Sequence, residues 1–365
     1  MSIINFGIVG GGWRAEFYIR IAKALPERFR IHSMLVRDEG KGQAIEKKWG
    51  IRTVRTMQEF TAEAASLSFA VVSVPRTVAP QMIRELAEKH IPVLAETPPA
   101  TDLAALTELY LSLPRDAKVQ VAEQYLFQPM HAARIQMARS GKLGEVTHAQ
   151  VSAAHDYHGI SLIRQLLGVG FEPAAISGQQ FESTIMQGPS RQGDPHEERI
   201  VQSVQRIATF RFGDKLAVYD FTGDQYFSWI RRSRMLVRGS KGELVDCEVS
   251  YLKDYATPVH TELRRVDTGH HGNLEGYYHR GVMAEGEWLY QNPAAPARLS
   301  DDEIAIATCL LKMGDYASGS GSSFYSLADA SQDHYLALLM GTAVETGQTV
   351  HTEKQAWSED KERFN

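Results

Sequence analysis

The segment Gly10-Gly11-Gly12-Trp13-Arg14-Ala15 carries the residue types and spacing that restrict the chemistry most. It reads Gly-x-Gly-x-x-Ala. It lies between an apolar run, Phe6-Gly7-Ile8-Val9, and an amphipathic helix that starts near Glu16. Gly10 permits a tight turn, Gly12 lets a pyrophosphate approach the backbone, and Ala15 lets the helix pack close to the strand. The helix N-terminus then faces the phosphates, with Trp13 and Arg14 on the turn beside them. Arg37 and Asp38 follow at the end of the next strand. An acid there binds the ribose hydroxyls of NAD, and an arginine accepts the extra phosphate of NADP. Both types are adjacent, so NAD or NADP stays open, with Lys41 tilting slightly to NADP.

A second cluster is His155-Asp156-Tyr157-His158. Spacing of three stacks His155 and His158 on one helical face. Imidazole titrates near neutrality and can take the proton of a secondary alcohol as its hydride leaves. Asp156 can orient an imidazole. It can equally be the N-cap of a helix whose apolar stripe is Ile160, Ile163, Leu166 and Leu167. No third ligand stands at metal-binding spacing, so no metal site is predicted. Tyr125, in Ala122-Glu123-Gln124-Tyr125, follows a strand end, where crevice residues sit; its phenol either shares a proton relay with His158 or packs. Val74, Pro75, Glu96 and Pro98 also close strands and read as cofactor-side residues. Arg231-Arg232-Ser233-Arg234 reads either as a holder of an anionic group or, more simply, as a solvated strand edge. His270-His271 and His279 belong to no recognisable ligand set.

These residues need elements to position them. Up to about residue 122, strands predicted at 3–9, 30–36, 69–74, 91–95 and 119–122 alternate with helices at 15–24, 43–49, 81–89 and 103–111. That pattern means a parallel sheet with helices on both faces. A helix at 130–140 stops at Gly141. Long strands follow at 146–153, 199–212 and 216–222, the last two a hairpin around Gly213-Asp214. Strands at 235–238 and 243–249 flank Gly239-Ser240-Lys241-Gly242, and helices at 302–313 and 332–346 close the chain. The fold class is α/β: a dinucleotide-binding domain over 1–124, then an α+β domain over 125–365 with an open, mainly antiparallel sheet.

The chain has 365 residues, 43% of them hydrophobic and 23% charged, with a net charge of −5. That length accommodates two sizeable cores. Nothing in it suggests a nucleic-acid footprint or a membrane patch. Two cysteines, Cys247 and Cys309, imply no disulfide framework and fit a reduced, cytoplasmic setting. Met1-Ser2-Ile3-Ile4 leads straight into the first strand, and no signal peptide or membrane span is predicted.

Five segments resemble the Gfo/Idh/MocA oxidoreductases. They are the glycine turn, Val72-Ser73-Val74-Pro75, Val93-Leu94-Ala95-Glu96-Thr97-Pro98, Ser140-Gly141-Lys142-Leu143-Gly144-Glu145, and the helix from His158 to Gly168. The third is similar to the family's Glu-Lys-Pro segment. The fifth is similar to its His-x-x-Asp helix, with Ser161 at the Asp position. The resemblance implies a Rossmann domain and an active site between the domains, where nicotinamide meets a sugar, polyol or related small molecule. It also implies a homo-oligomer, dimer or tetramer, built on the open sheet face. His158 then stands as general acid/base, with Thr97 and Tyr125 or His155 holding the reacting hydroxyl.

Departures matter here. Thr97 replaces the family's Lys and supplies no amine. Ala154 stands where an Asp-x-x-x-His pair would put its carboxylate. Three readings remain: a sugar or polyol oxidoreductase, a redox-neutral glycosidase with tightly held NAD, and a non-catalytic sugar sensor.

Overall fold

The computed structural model describes residues 3–269, 274 and 276–359. The first sheet contains β1 (Ile4–Val9), β2 (Phe29–Leu35), β3 (Thr53–Val54), β4 (Phe69–Val72), β5 (Val93–Ala95) and β6 (Val119–Val121). All pair in parallel, in the order β3-β2-β1-β4-β5-β6. Helices α1 (Ala15–Ala24), α2 (Glu39–Trp49), α3 (Met57–Thr61), α4 (Ala79–Ala87) and α5 (Leu103–Ser112) connect the strands. β4, β5 and β6 are buried at every position, as strands covered on both faces must be. The strand order reverses between β1 and β4, so a crevice opens at their carboxyl ends. The glycine turn closes β1 there, and Val74-Pro75 follows β4.

After a 3-10 turn at Gln124–Phe127 come α6 (Pro129–Arg139), β7 (Val146–Ser152) and α7 (Asp156–Leu167). Strands β8 (Ala175–Met186), β9 (Ile200–Phe212), β10 (Lys215–Thr222), β11 (Arg234–Gly239), β12 (Gly242–Val245), β13 (Glu248–Leu252) and β14 (Pro258–Glu262) extend the second sheet. β15 (Arg264–Gly269), β16 (Tyr277–Ala284) and β17 (Glu287–Gln291) form a separate three-stranded sheet. α8 (Asp301–Ser318), α9 (Leu327–Thr346), β18 (Val350–His351) and α10 (Ala356–Glu359) close the described chain. The second sheet runs β14-β13-β12-β11-β7-β10-β9-β8-β18, antiparallel except where β10 joins β7. α7 lies across it: Ile160, Leu162, Ile163, Leu166 and Leu167 share one core with Ala149, Val151, Ala217 and Tyr219. α8 returns to the first sheet, where Cys309, Leu310 and Met313 pack with Phe6, Ile8 and Tyr18.

Three expectations need correction. The strand predicted over 243–249 is two strands, because Asp246 turns in the left-handed region (φ +53°) between β12 and β13. Its carboxylate takes the Met235 amide at 2.8 Å, which fixes that turn. Arg231 and Arg234 do not form a solvated edge: Arg234 starts β11, an interior strand. Arg231 pairs with Asp224 at 3.3 Å and Arg234 with Asp220 at 2.9 Å. Asp156 is not the N-cap of α7. His155 occupies that place without a side-chain cap, while Asp156 is the first helical residue, at φ +31°, and pairs with Arg206. His279 pairs with Asp267 at 2.9 Å on the three-stranded sheet; His270-His271 lie outside the described residues. Among the described residues no helix is long and apolar enough to cross a membrane.

Candidate active site

The glycine turn has the shape a dinucleotide needs. Gly10 adopts φ +116°, and a Cβ there would meet the Ser73 carbonyl oxygen at 2.1 Å. Only glycine lets β1 and the β4 loop approach so closely. A Cβ on Gly12 would touch nothing within 4 Å, so its α-carbon faces open space. The N-cap of α1, Arg14, gives no side-chain cap, and the first-turn amides of Ala15, Glu16 and Phe17 donate instead to the carbonyls of Gly12, Trp13 and Arg14. Gly10, Gly11, Arg37, Asp38, Lys41, Val74 and Pro75 line one cavity of about 260 Å³ beside this turn. The structure thus brings together the glycine, second-strand and Val74-Pro75 residues expected on the cofactor side. These residues fit a dinucleotide: Gly12, with open space at its α-carbon, beside the pyrophosphate, and Asp38 at the ribose. The Asp38 carboxylate also caps α2, accepting the Lys41 amide at 2.6 Å.

Glu96 ends β5 and turns inward. It accepts Arg14 Nε at 2.8 Å and the Tyr18 hydroxyl at 2.5 Å, so it ties β5 to the start of α1. Burial alone would lower the pKa of Arg14, but the charge of Glu96 outweighs it and holds the guanidinium firmly protonated. Thr97 and Pro98 follow, half-buried. Thr97 donates its amide to Glu96 at 3.4 Å, and among the described residues its hydroxyl has no partner.

His158 is 7% exposed, and its Nδ1 lies 2.7 Å from Glu123 Oε2. Glu123 follows β6 and is fully buried. Burial pushes its carboxyl well above the ordinary range. Burial, with the Arg14 charge second, lowers His158 to about 3. The pair is therefore kept uncharged overall, sharing one proton between Nδ1 and the carboxyl. Tyr125 covers the imidazole, ring centroids 4.4 Å apart. His155 meets it edge-on at 5.1 Å. Tyr226, from the 3-10 turn Gly223–Tyr226, holds His155 twice: its hydroxyl lies 2.5 Å from Nδ1 and accepts the backbone amide at 2.9 Å. The same hydroxyl is 3.4 Å from that of Tyr125. Packing between Tyr226 and His158 lowers His155 as well. His158, His155 and Tyr125 are thus assembled as expected. Asp156 is not their carboxylate partner, and no described hydrogen bond joins Thr97 to them. Sequence reasoning missed Glu123, Tyr18 and Tyr226. Glu123 had a signal, since an acid directly after a buried strand of the parallel sheet lies at the crevice.

One depressed histidine carries a stability prediction. His131, buried beside Arg134, is also lowered to about 3. For His131 the unfolded chain binds the proton first, whereas the Glu123–His158 pair holds one proton folded and unfolded alike over this range. His131 therefore adds nothing above its unfolded pKa near 6.5, and below it destabilises by up to about 1.4 kcal/mol per pH unit until about 3. The urea midpoint should fall steeply from pH 6.5 to 5, and His131→Gln should flatten that slope. Equal wild-type midpoints at pH 7 and 5 would contradict it.

Residues 4–125 match the model of the oxidoreductase family with the NAD-binding Rossmann fold, GFO_IDH_MocA. Solved structures align over nearly the whole chain. An oxidoreductase domain protein from Kribbella flavida is 17% identical, covering 97% of this chain and 100% of its own, with a TM-score of 0.69. Levoglucosan dehydrogenase in complex with NADH and levoglucosan is 14% identical, covering 96% and 99%, with a TM-score of 0.67. GenD2 from gentamicin A biosynthesis, in complex with NAD, is 17% identical, covering 97% of each chain, with a TM-score of 0.64. At such identities the likeness is one of fold. Curated protein sequences give no match. Residues 4–125, with their parallel sheet and glycine turn, are thus similar to the Gfo/Idh/MocA oxidoreductases in their NAD-binding Rossmann fold, and a mainly antiparallel sheet follows them here.

Proposed function

We propose that the protein is an NAD-dependent oxidoreductase acting at a secondary alcohol of a sugar, polyol or related small molecule. The observation that carries this reading is the buried Glu123–His158 pair at the end of β6. NAD, when bound, supplies or accepts the hydride. With Glu123 ionised, His158 donates Nδ1–H to it and presents the Nε2 lone pair to the substrate hydroxyl. The proton taken at Nε2 is balanced by the carboxylate on the far side of the ring. Tyr125 and Thr97 hold the reacting oxygen, and Tyr226 fixes His155 beside it. Residues 1–124 would carry the dinucleotide and 125–365 the substrate. Exposed Phe181, Ile200 and Val204 on β8 and β9 suit a second copy of the chain. A levoglucosan dehydrogenase among the structural neighbours supports a sugar-like substrate.

A panel of sugars and polyols with NAD, followed at 340 nm, tests this. Turnover on at least one member is expected. Failure to bind NADH, with no turnover, would remove both enzyme readings. The His155–Tyr226 pair favours a second reading, in which another acid/base pair permits a redox-neutral glycosidase cycle. Solvent deuterium appearing at the sugar carbon beside the oxidised one would select it.

A further inference from the structure

The loop between β8 and β9 leaves the second sheet and reaches the glycine turn of the first. Its tip, residues 190–193, is a tight turn closed at both ends. The Ser190 amide donates to the Gly193 carbonyl at 2.9 Å, and the Gly193 amide to that of Ser190 at 3.1 Å. Gly193 sits at φ +115°, a conformation that favours glycine, and Ser190 Oγ accepts the Gln192 amide. This turn presents Arg191, whose guanidinium lies 4.4 Å over the ring of Trp13. Trp13 belongs to the glycine turn and is 59% exposed, unusual for a large aromatic side chain. Among the described residues Arg191 has no carboxylate partner, although Asp194, Glu197 and Glu198 share its loop. Arg191 therefore stands over the phosphate-facing turn, where an extended dinucleotide would pass.

We propose that the 190–193 turn is a strap across the bound dinucleotide, with Arg191, stacked on Trp13, taking a pyrophosphate oxygen. A guanidinium held over an indole face can keep N–H groups free, and these match phosphate oxygens. The cation is supplied by the second sheet rather than by the Rossmann domain, so release of the cofactor requires this contact to open. The inference rests on dinucleotide binding alone and not on the substrate or the direction of hydride transfer.

The test uses the full chain and reads binding directly. NADH release is followed by stopped-flow fluorescence during a chase with excess NAD, and ADP-ribose affinity is measured in parallel. Arg191→Ala should release NADH roughly tenfold or more faster and weaken ADP-ribose by a similar factor, since a hydrogen bond to a charged group is being removed. Adenosine, which lacks the pyrophosphate, should bind as to wild type. Arg191→Lys should recover part of the loss, and added salt should weaken NADH binding less in the Ala variant than in wild type. Unchanged NADH release and ADP-ribose affinity would overturn the proposal. Should turnover still fall in that case, Arg191 serves an anionic group of the substrate instead.

Discussion

Glu123→Gln is expected to lower kcat by roughly 10²–10⁴-fold while NADH affinity stays near that of wild type. Gln keeps the size of the side chain and still hydrogen-bonds Nδ1. What it loses is the ability to share a proton with His158. Its amide can donate to Nδ1 and so favour the tautomer with the proton on Nε2, where the lone pair is needed. The pH dependence sharpens the expectation. Burial raises the Glu123 carboxyl, so the ionised form needed for alcohol oxidation appears only above the ordinary carboxylate range. Oxidation in the wild type should rise with pH across that displaced ionisation, and the Gln variant should lack the rise. His158→Gln should lose a similar factor, and the double variant little more than either single one, because the pair acts as a unit. Full activity in Glu123→Gln would remove the carboxylate from the mechanism.

Gly12→Val carries the second large effect and separates ligand space from folding. A side chain at Gly12 meets no protein atom within 4 Å. The variant should therefore fold with a melting temperature close to wild type. The same side chain fills the space the pyrophosphate needs, and NADH affinity should drop roughly 100-fold, the equivalent of about 3 kcal/mol of overlap. Gly10→Ala is the contrasting case. Its methyl would meet the Ser73 carbonyl at 2.1 Å in a backbone conformation that alanine rarely adopts. That change should cost stability itself, on the order of 1–3 kcal/mol or more. Tight NADH binding by Gly12→Val would place the dinucleotide elsewhere.

The local features could be read from the chain, and those set by distant contacts could not. The glycine turn and α1 are legible because their signals are contiguous: apolar strand, three glycines, amphipathic helix. The β9–β10 hairpin is legible for the same reason, since Phe212 and Lys215 face one another across Gly213-Asp214. β8 gives little signal because its central Gln179, Gln180 and Glu182 are polar and exposed, and its pairing with β9 supplies what alternation does not. The carboxylate partner of His158 is 35 residues away, just past the end of β6, and only the packing of α7 against the 3-10 turn brings the two together. Tyr226 is 71 residues from His155 and reaches it from a turn after β10. Searching near His158 for an acid found Asp156, which the fold instead commits to Arg206 and to the first turn of α7. The absence of a Lys at position 97 and of an acid at 154 is real, yet Glu123 gives the imidazole a carboxylate from another strand end.

The central claim is that a hydride passes between the nicotinamide and a substrate carbon held against His158. The most direct measurement is the mass of the product formed from a keto-sugar or keto-polyol panel with NADH carrying deuterium at the transferred C4 position. One deuterium at the former carbonyl carbon is predicted, at a rate that Glu123→Gln cuts by at least about 100-fold. Tight NADH binding with no deuterium reaching any member of the panel would contradict the account and leave a binding protein that keeps the fold without the chemistry.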